Sequence, residues 1–273
     1  MATIPIDFTG VRVTALVELY LRWLDSKDPH PILGDPWADR VVRRLGFDFS
    51  SFKPMALGRY AVGVRSRVMD EWTREYLAKN PDAIVLDLGC GFDSRVFRID
   101  PAPGHHWYDV DFPDVIEIMD QLYPQRPEHT TIGASVVDPA WLDRIPGDRP
   151  VIVVADGLYQ FLDEDEVRQV FRNIMDHFPT GQFVFNIGAA SVKRRYESQP
   201  NSIFAQHGIT FGWTIESARE AERLDDRLHY VDQRSVVEAA LIRHASLYYR
   251  MLCAVISMVP AWRNAGFLLR YRF

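Results

Sequence analysis

The sequence predicts an α/β protein built on a doubly wound, mostly parallel sheet, and three features of the chain predict it. Five apolar strand-like runs alternate with helical patterns between Ile84 and Ile187, the order that gives parallel strands joined by helices. One of these runs, Ile84 to Leu88, breaks at Gly89-Cys90-Gly91, and a strand ending in Gly-x-Gly turns tightly and brings bare N–H groups to a ligand. Two more strands follow late in the chain, so one of them is expected to insert into the sheet after the alternation ends.

The glycine turn makes a bound nucleoside the first functional hypothesis. A dinucleotide site wants a third glycine three residues beyond the second, where this chain has Ser94. Asp87 and Asp93 flank the turn; they would repel a pyrophosphate and suit a ligand with positive charge. S-adenosylmethionine, with a sulfonium and an ammonium, is such a ligand. Acids recur about 20 residues on, in HWYDVDFP (106–113), where a carboxylate at the next strand end can hold the ribose hydroxyls.

At 273 residues the chain is long enough for one large α/β domain, or a domain with a cap. A net charge of −6 argues against nucleic-acid and anionic-membrane partners, which need a basic stripe. No apolar run reaches spanning length, and the start MATIPIDFTG has neither a basic nor an apolar leader region; a cytoplasmic protein is expected. Two cysteines, Cys90 and Cys253, make no disulfide framework or zinc site. His105-His106 lack a third ligand at metal spacing, so no metal is expected.

Residues 11–24 place Val13, Leu16, Val17, Tyr20, Leu21 and Leu24 on one helical face. A second helix is expected to start at DPWADR (35–40), with an acid as cap and proline in the first turn, and to stop at Gly46. In the helix over 61–79, Arg65 points with Val68, Met69, Trp72 and Tyr76, whereas Arg67 points to the polar side with Glu71 and Arg74. An arginine on an apolar face snorkels, pairs internally or meets a ligand carboxylate. After the acidic strand end come a helix over 113–122, a strand with its exit over 130–136 and a short helix from 137. The unbroken run PVIVVA (150–155) is the clearest parallel strand; its end places Asp156, Gly157, Tyr159 and Gln160 at the edge where such sheets bind ligands. Asp163 to Glu166 read as a helix cap, and 182–187 as the fifth strand, with Asn186 at its exit. Residues 188–214 have no clean period and read as a substrate loop or lid, with Tyr196 and Trp213 as further pocket candidates. Lys193-Arg194-Arg195 reads either as a grip on an acidic substrate or as a solvated loop. A short helix over 216–224, a strand over 228–232, a long helix over 235–258 with His244 in its stripe and Pro260 at its end, and a strand over 265–273 complete the chain.

The ordered set TALVELYLR, DPWADRVVRRL, VRSRVMDEW, VLDLGCGFDSRVFRID, WYDVDFPDVIE, VVADGLYQFL and the terminal RYRF resembles the leucine carboxyl methyltransferase-like family. The bacterial polyketide O-methyltransferase branch, of the tetracenomycin type, is most similar. The resemblance covers essentially the whole chain and implies a class I methyltransferase fold, Rossmann-like, with a seven-stranded sheet and an N-terminal helical cap over residues 1–60. It also implies S-adenosylmethionine as donor and oxygen as acceptor. By position it assigns Arg65 to the donor's carboxylate, Gly89, Cys90 and Gly91 to the turn beside it, and Asp111 with Phe112 to the ribose. Ser135 and Val136 stand where the family has an acid and a leucine near the adenine, which leaves backbone groups or Asp138 to replace the lost contact. Asp156, before Gly157, stands where the family has glutamate, a methylene longer, and still suits the donor's ammonium.

The expected function is therefore donor-dependent O-methylation of a small-molecule acceptor, foremost a carboxylate of a polyketide-like or aromatic metabolite. A carboxylate, with a pKa near ~4, is already ionised and needs no base. A phenolic or hydroxyl acceptor is the alternative, with His207 or Asp156 as base. Two other classes stand beside it: a nicotinamide-dependent oxidoreductase, which Ser94 and the acidic turn oppose, and a non-catalytic nucleoside-binding protein.

Overall fold

The computed structural model describes residues 3–238, 240, 242–243, 245–258 and 266–273. Near the N-terminus, β1 (Ile4–Pro5) pairs in parallel with β2 (Leu45–Gly46), and between them run α1 (Val13–Ser26) and α2 (Ala38–Arg44). The chain between these helices is fixed by Asp25, whose buried carboxylate accepts the N–H groups of Ile32, Leu33 and Gly34 at 2.9–3.0 Å. The second helix starts three residues later than Asp35, because that carboxylate turns inward to Ser94 Oγ (2.6 Å) and the Trp37 N–H.

The long helix α3 (Gly58–Lys79) leads into β3 (Ile84–Leu88), α4 (Arg95–Ile99), β4 (His106–Asp111), α5 (Pro113–Leu122) and β5 (His129–Gly133). Then come β6 (Val151–Ala155), α6 (Glu164–His177), β7 (Gly181–Gly188), α7 (Ala190–Glu197), α8 (Ile203–Gln206), β8 (His229–Arg234), α9 (Leu247–Met258) and β9 (Gly266–Arg272). Seven strands make one sheet in the order β5-β4-β3-β6-β7-β9-β8. All neighbours are parallel except β9, which slots antiparallel between β7 and β8. This is the doubly wound sheet with a late inserted strand.

Alternation puts Ile84, Leu86, Val151, Val153, Phe183 and Phe185 on one face with α6, and Val85, Ile152, Val154 and Val184 on the other with α3. Both faces are buried, which is why these strands read as unbroken apolar runs. A third cluster joins α1, α2 and α5 to Cys90 and Phe92 of the glycine turn, so the N-terminal helices pack directly on the carboxyl edge of the sheet.

The acidic run after β6 is a capping box: Asp163 accepts the Glu166 N–H and the Glu166 carboxylate accepts the Asp163 N–H. Downstream, the expected helices are shorter. Residues 216–224 hold only a 3-10 turn at Glu220–Arg223. The last helix begins at Leu247 rather than 235, because Ser246 caps it through the Tyr249 N–H at 3.3 Å. His244, Pro260 and Ala265 lie outside the described residues. No described helix is long and apolar enough to cross a membrane.

Candidate active site

The chain leaves β3 on one side to build β4 and β5, then returns to lay β6 on the other. A crevice opens where the two directions diverge, and there a cavity of about 1230 Å³ lies over the carboxyl edge. Gly89 and Gly91 line it with φ of +63° and +55°. At Gly91 an added Cβ would lie 3.1 Å from Ala15 of α1, so the turn is left-handed and too closely packed for a side chain.

Asp111 sits at the end of β4, where its two oxygens accept the N–H groups of Gly91 and Phe112, each at 2.7 Å. Its strand neighbour Asp109 lies one pleat deeper and is bound by Trp107 Nε1 and His129 Nε2, both at 2.7 Å. Position along the strand thus separates a cavity acid from a core acid. Burial raises Asp111 to about 6, against the pull of the two N–H groups. The resemblance assigns Asp111 to the donor's ribose, whose hydroxyl would donate best to the ionised carboxylate; on that assignment affinity for S-adenosylhomocysteine is expected to fall as pH drops through about 6. Titration calorimetry from pH 8 to 5 checks this, with Asp111→Asn expected to bind weakly and with a flat profile.

Behind the turn lies an ion network that the sequence did not announce. Arg95, only 1% exposed, gives Nε to Asp70 (2.9 Å), Nη1 to both oxygens of Asp87 (3.1 Å) and Nη2 to Asp156 (2.8 Å). Arg98 pairs with Asp70 and Asp93, and Arg22 of α1 lies 3.6–3.7 Å from Asp93 and Asp35. Burial opposes ionisation of Asp93, but Arg22, Arg98 and Arg95 together hold it far below the usual carboxylate range. Asp156 is likewise held down, against burial, by Arg65 and Arg95, and it accepts Ser66 Oγ at 2.9 Å.

Arg65 is neither snorkelling nor free. It contacts Asp156 through Nε and Glu18 of α1 through Nη2, the latter at 2.5 Å. In the contact with Asp156, Nε and Oδ1 are buried, yet neither completes a hydrogen bond of good geometry. Counting Glu18, the network sets four guanidiniums against six carboxylates. The surplus of carboxylates over guanidiniums, with burial pushing Asp87 and Glu18 upward, the incompletely bonded pair at the wall and the side-chain-free turn fit a nucleoside with a cationic centre and an amino-acid tail.

Of the residues expected at the site, Arg65, Asp87, Gly89, Cys90, Gly91, Asp111, Phe112, Ser135, Val136, Asp156, Gly157, Gln160, Asn186 and Tyr196 line this one cavity. Asp87 is turned to Arg95, and Asn186 is engaged by the Gly157 N–H at 2.6 Å. Asp138 also lines the wall while capping the 3-10 turn after β5. Tyr159 and Trp213 are corrections. Both are core residues, packed edge-on to one another and against Phe185, because the N–H of Trp213 bonds the Leu162 carbonyl and draws the ring under the loop. Tyr20 and Tyr60 are core as well, whereas Tyr196 stacks on Phe211, meets Phe204 edge-on and lines the cavity. His207 does not line it.

Glu18, Arg22 and Arg95 are the residues that the pattern missed. Glu18, Arg22 and Asp25 fall on one side of α1 at helical spacing, a stripe that ordinarily faces water. Here α1 is buried on both sides. The helix bearing Arg95 has only five residues, too few to show a period.

This fold and this edge-on cavity define a class I, S-adenosylmethionine-dependent methyltransferase, and comparison with known proteins gives the family. Residues 15–175 match the profile of the leucine carboxyl methyltransferases, and the chain belongs to that family. It is 38% identical, over 98% of both chains, to the tetracenomycin polyketide synthesis O-methyltransferase TcmP of Streptomyces glaucescens. An S-adenosyl-L-methionine-dependent methyltransferase of Gibberella zeae, dpfgK, is 31% identical over 96% of this chain and 93% of its own. Among solved structures, a DUF574-family protein of Streptomyces avermitilis superposes with a TM-score of 0.61 over 97% of both chains at 17% identity, which speaks for the fold. The protein is an O-methyltransferase that takes its methyl group from S-adenosylmethionine.

Proposed function

We propose that the acceptor is a carboxylate on a polyketide-like or aromatic metabolite, and that the product is its methyl ester. No described residue lining the cavity is a histidine or lysine, and this carries the reading. The cavity's carboxylates serve the network or the turns, and Glu166 is engaged in its helix cap. Asp156 is tied to Ser66, Arg65 and Arg95 and held down by the two guanidiniums, which makes it a weak base for a phenolic proton. A carboxylate acceptor needs no base.

An aromatic cluster in the lining suits a flat apolar molecule: Phe161, Tyr196, Phe204 and Phe211 pack on one another, and Met55 and Leu57 line the same cavity. Arg195 of α7 also lines it and supplies positive charge for an acid, while Lys193 is engaged with the Gly212 carbonyl. A cavity of about 1230 Å³ exceeds the roughly 300–1,000 Å³ of a typical single-ligand site, which leaves room for an acceptor beside the donor. The 38% identity to an O-methyltransferase of polyketide synthesis points the same way.

When bound, S-adenosylmethionine supplies an electrophilic methyl group. The chain's part is placement: Arg65, Asp111 and the glycine turn hold the donor, and the 188–214 segment excludes water over the acceptor. Holding two reactants in line can be worth effective molarities of about 10⁵–10⁸ M. Aromatic and polyketide acids are to be incubated with labelled donor and the products treated with mild base. Release of label as methanol is the expected result; base-stable label would show ether formation and overturn the carboxylate assignment. Arg195→Ala is expected to raise KM for acids about 10-fold, from loss of one charged contact, with donor affinity unchanged.

A further inference from the structure

The Arg65–Glu18 ion pair occupies the amino-acid end of the donor site and must open if the donor's carboxylate is to reach Arg65. Two carboxylates hold that guanidinium, and they are held very differently. Asp156 is fastened from three sides, by Arg65, by Arg95 Nη2 at 2.8 Å and by Ser66 Oγ at 2.9 Å. Glu18 has one ion-pair partner among the described residues, Arg65 Nη2 at 2.5 Å, on a side chain still 26% exposed in the cavity wall. Glu18 is therefore the one that yields.

We propose that the donor's zwitterionic tail inserts into this ion pair: its carboxylate takes the Glu18 position on Arg65, and Glu18 turns to accept its ammonium. This rests on the placement of the donor proposed above and adds a residue to it. One ion pair opens and two form, so no charge is left alone. That balance matters, since a carboxylate displaced from its partner in a partly buried wall pays a desolvation cost unless a cation follows. Burial already pushes Glu18 upward against the pull of Arg65, consistent with a group that gains from a second cation.

The test is titration calorimetry with two ligands, S-adenosylhomocysteine and its deaminated analogue, which keeps the carboxylate and lacks the amine. Glu18→Gln is expected to weaken S-adenosylhomocysteine by about 10- to 100-fold, the span of one charged hydrogen bond, and to leave the deaminated analogue within about twofold or improve it by freeing Arg65. Equal loss for both ligands would mean that Glu18 only positions Arg65, and no loss for S-adenosylhomocysteine would mean that it never meets the ammonium; either overturns the exchange. If the amide variant fails to fold, Glu18→Asp gives the same ligand contrast at smaller amplitude. Wild-type protein that binds neither ligand overturns the donor placement itself, a result distinct from any loss confined to the variants.

Discussion

Replacing Arg95 by leucine is expected to destabilise the protein by about 3–5 kcal/mol at neutral pH, the cost of removing one partner from a buried charge cluster. Arg95 answers Asp70, Asp87, Asp93 and Asp156 at once. Asp70 and Asp93 keep Arg98, but Asp87 keeps no other ion-pair partner among the described residues. The midpoint of urea unfolding at pH 7.5 measures the loss. The deficit is expected to shrink toward pH 5. Without the guanidinium the remaining carboxylates have raised pKa values, so the folded variant binds more protons than the unfolded chain and its stability rises as pH falls. In the wild type Asp93 and Asp156 act with the opposite sign: they are held down, and what they contribute is present above the ordinary carboxylate pKa near ~4 and lost below it, whereas burial pushes Asp87 upward against Arg95 and its part runs the other way. A deficit under about 1 kcal/mol would be of surface-pair size and would show that Arg98 and Arg22 suffice.

Arg65→Ala is expected to abolish measurable binding of S-adenosylhomocysteine, a loss of 2–5 kcal/mol or roughly 30- to several-thousand-fold in affinity. The guanidinium is the cation in the cavity wall that meets α1 and the β6 exit together. Titration calorimetry on the variant, beside circular dichroism to establish that it is folded, measures the effect. A folded variant that binds as the wild type does would remove Arg65 from the donor site. Asp111→Asn, at the proposed ribose contact, is expected to lose less and to change the pH profile instead.

The shape of the site was legible wherever a local pattern had a single physical meaning. Apolar runs of five residues with turn residues at their ends are strands buried on two faces, and β3, β6 and β7 follow that pattern. Asp163 to Glu166 spells out a helix cap whose hydrogen bonds span three residues. Arg65 stood out because an arginine on an apolar stripe must have an anion. Legibility failed where an alternative partner lay far along the chain. Asp35 left its helix for Ser94, 59 residues away; Ser246, at the start of the last helix, gives its N–H to Tyr60, 186 residues away; Trp213 was drawn into the core by Leu162.

By itself the sequence determined the doubly wound sheet, the glycine turn with its acid at the next strand end, and Arg65 as a residue in need of an anion, because each is set by spacing within a few residues. Only the tertiary structure decided which anion. Glu18 lies 47 residues from Arg65 and Asp156 lies 61 from Arg95. Pairs so distant leave no trace in local periodicity. They form because the strand order reverses between β3 and β6 and α1 packs across the opening, bringing charges from α1, α3, α4 and the β6 exit into one volume with little water, where each must find a partner.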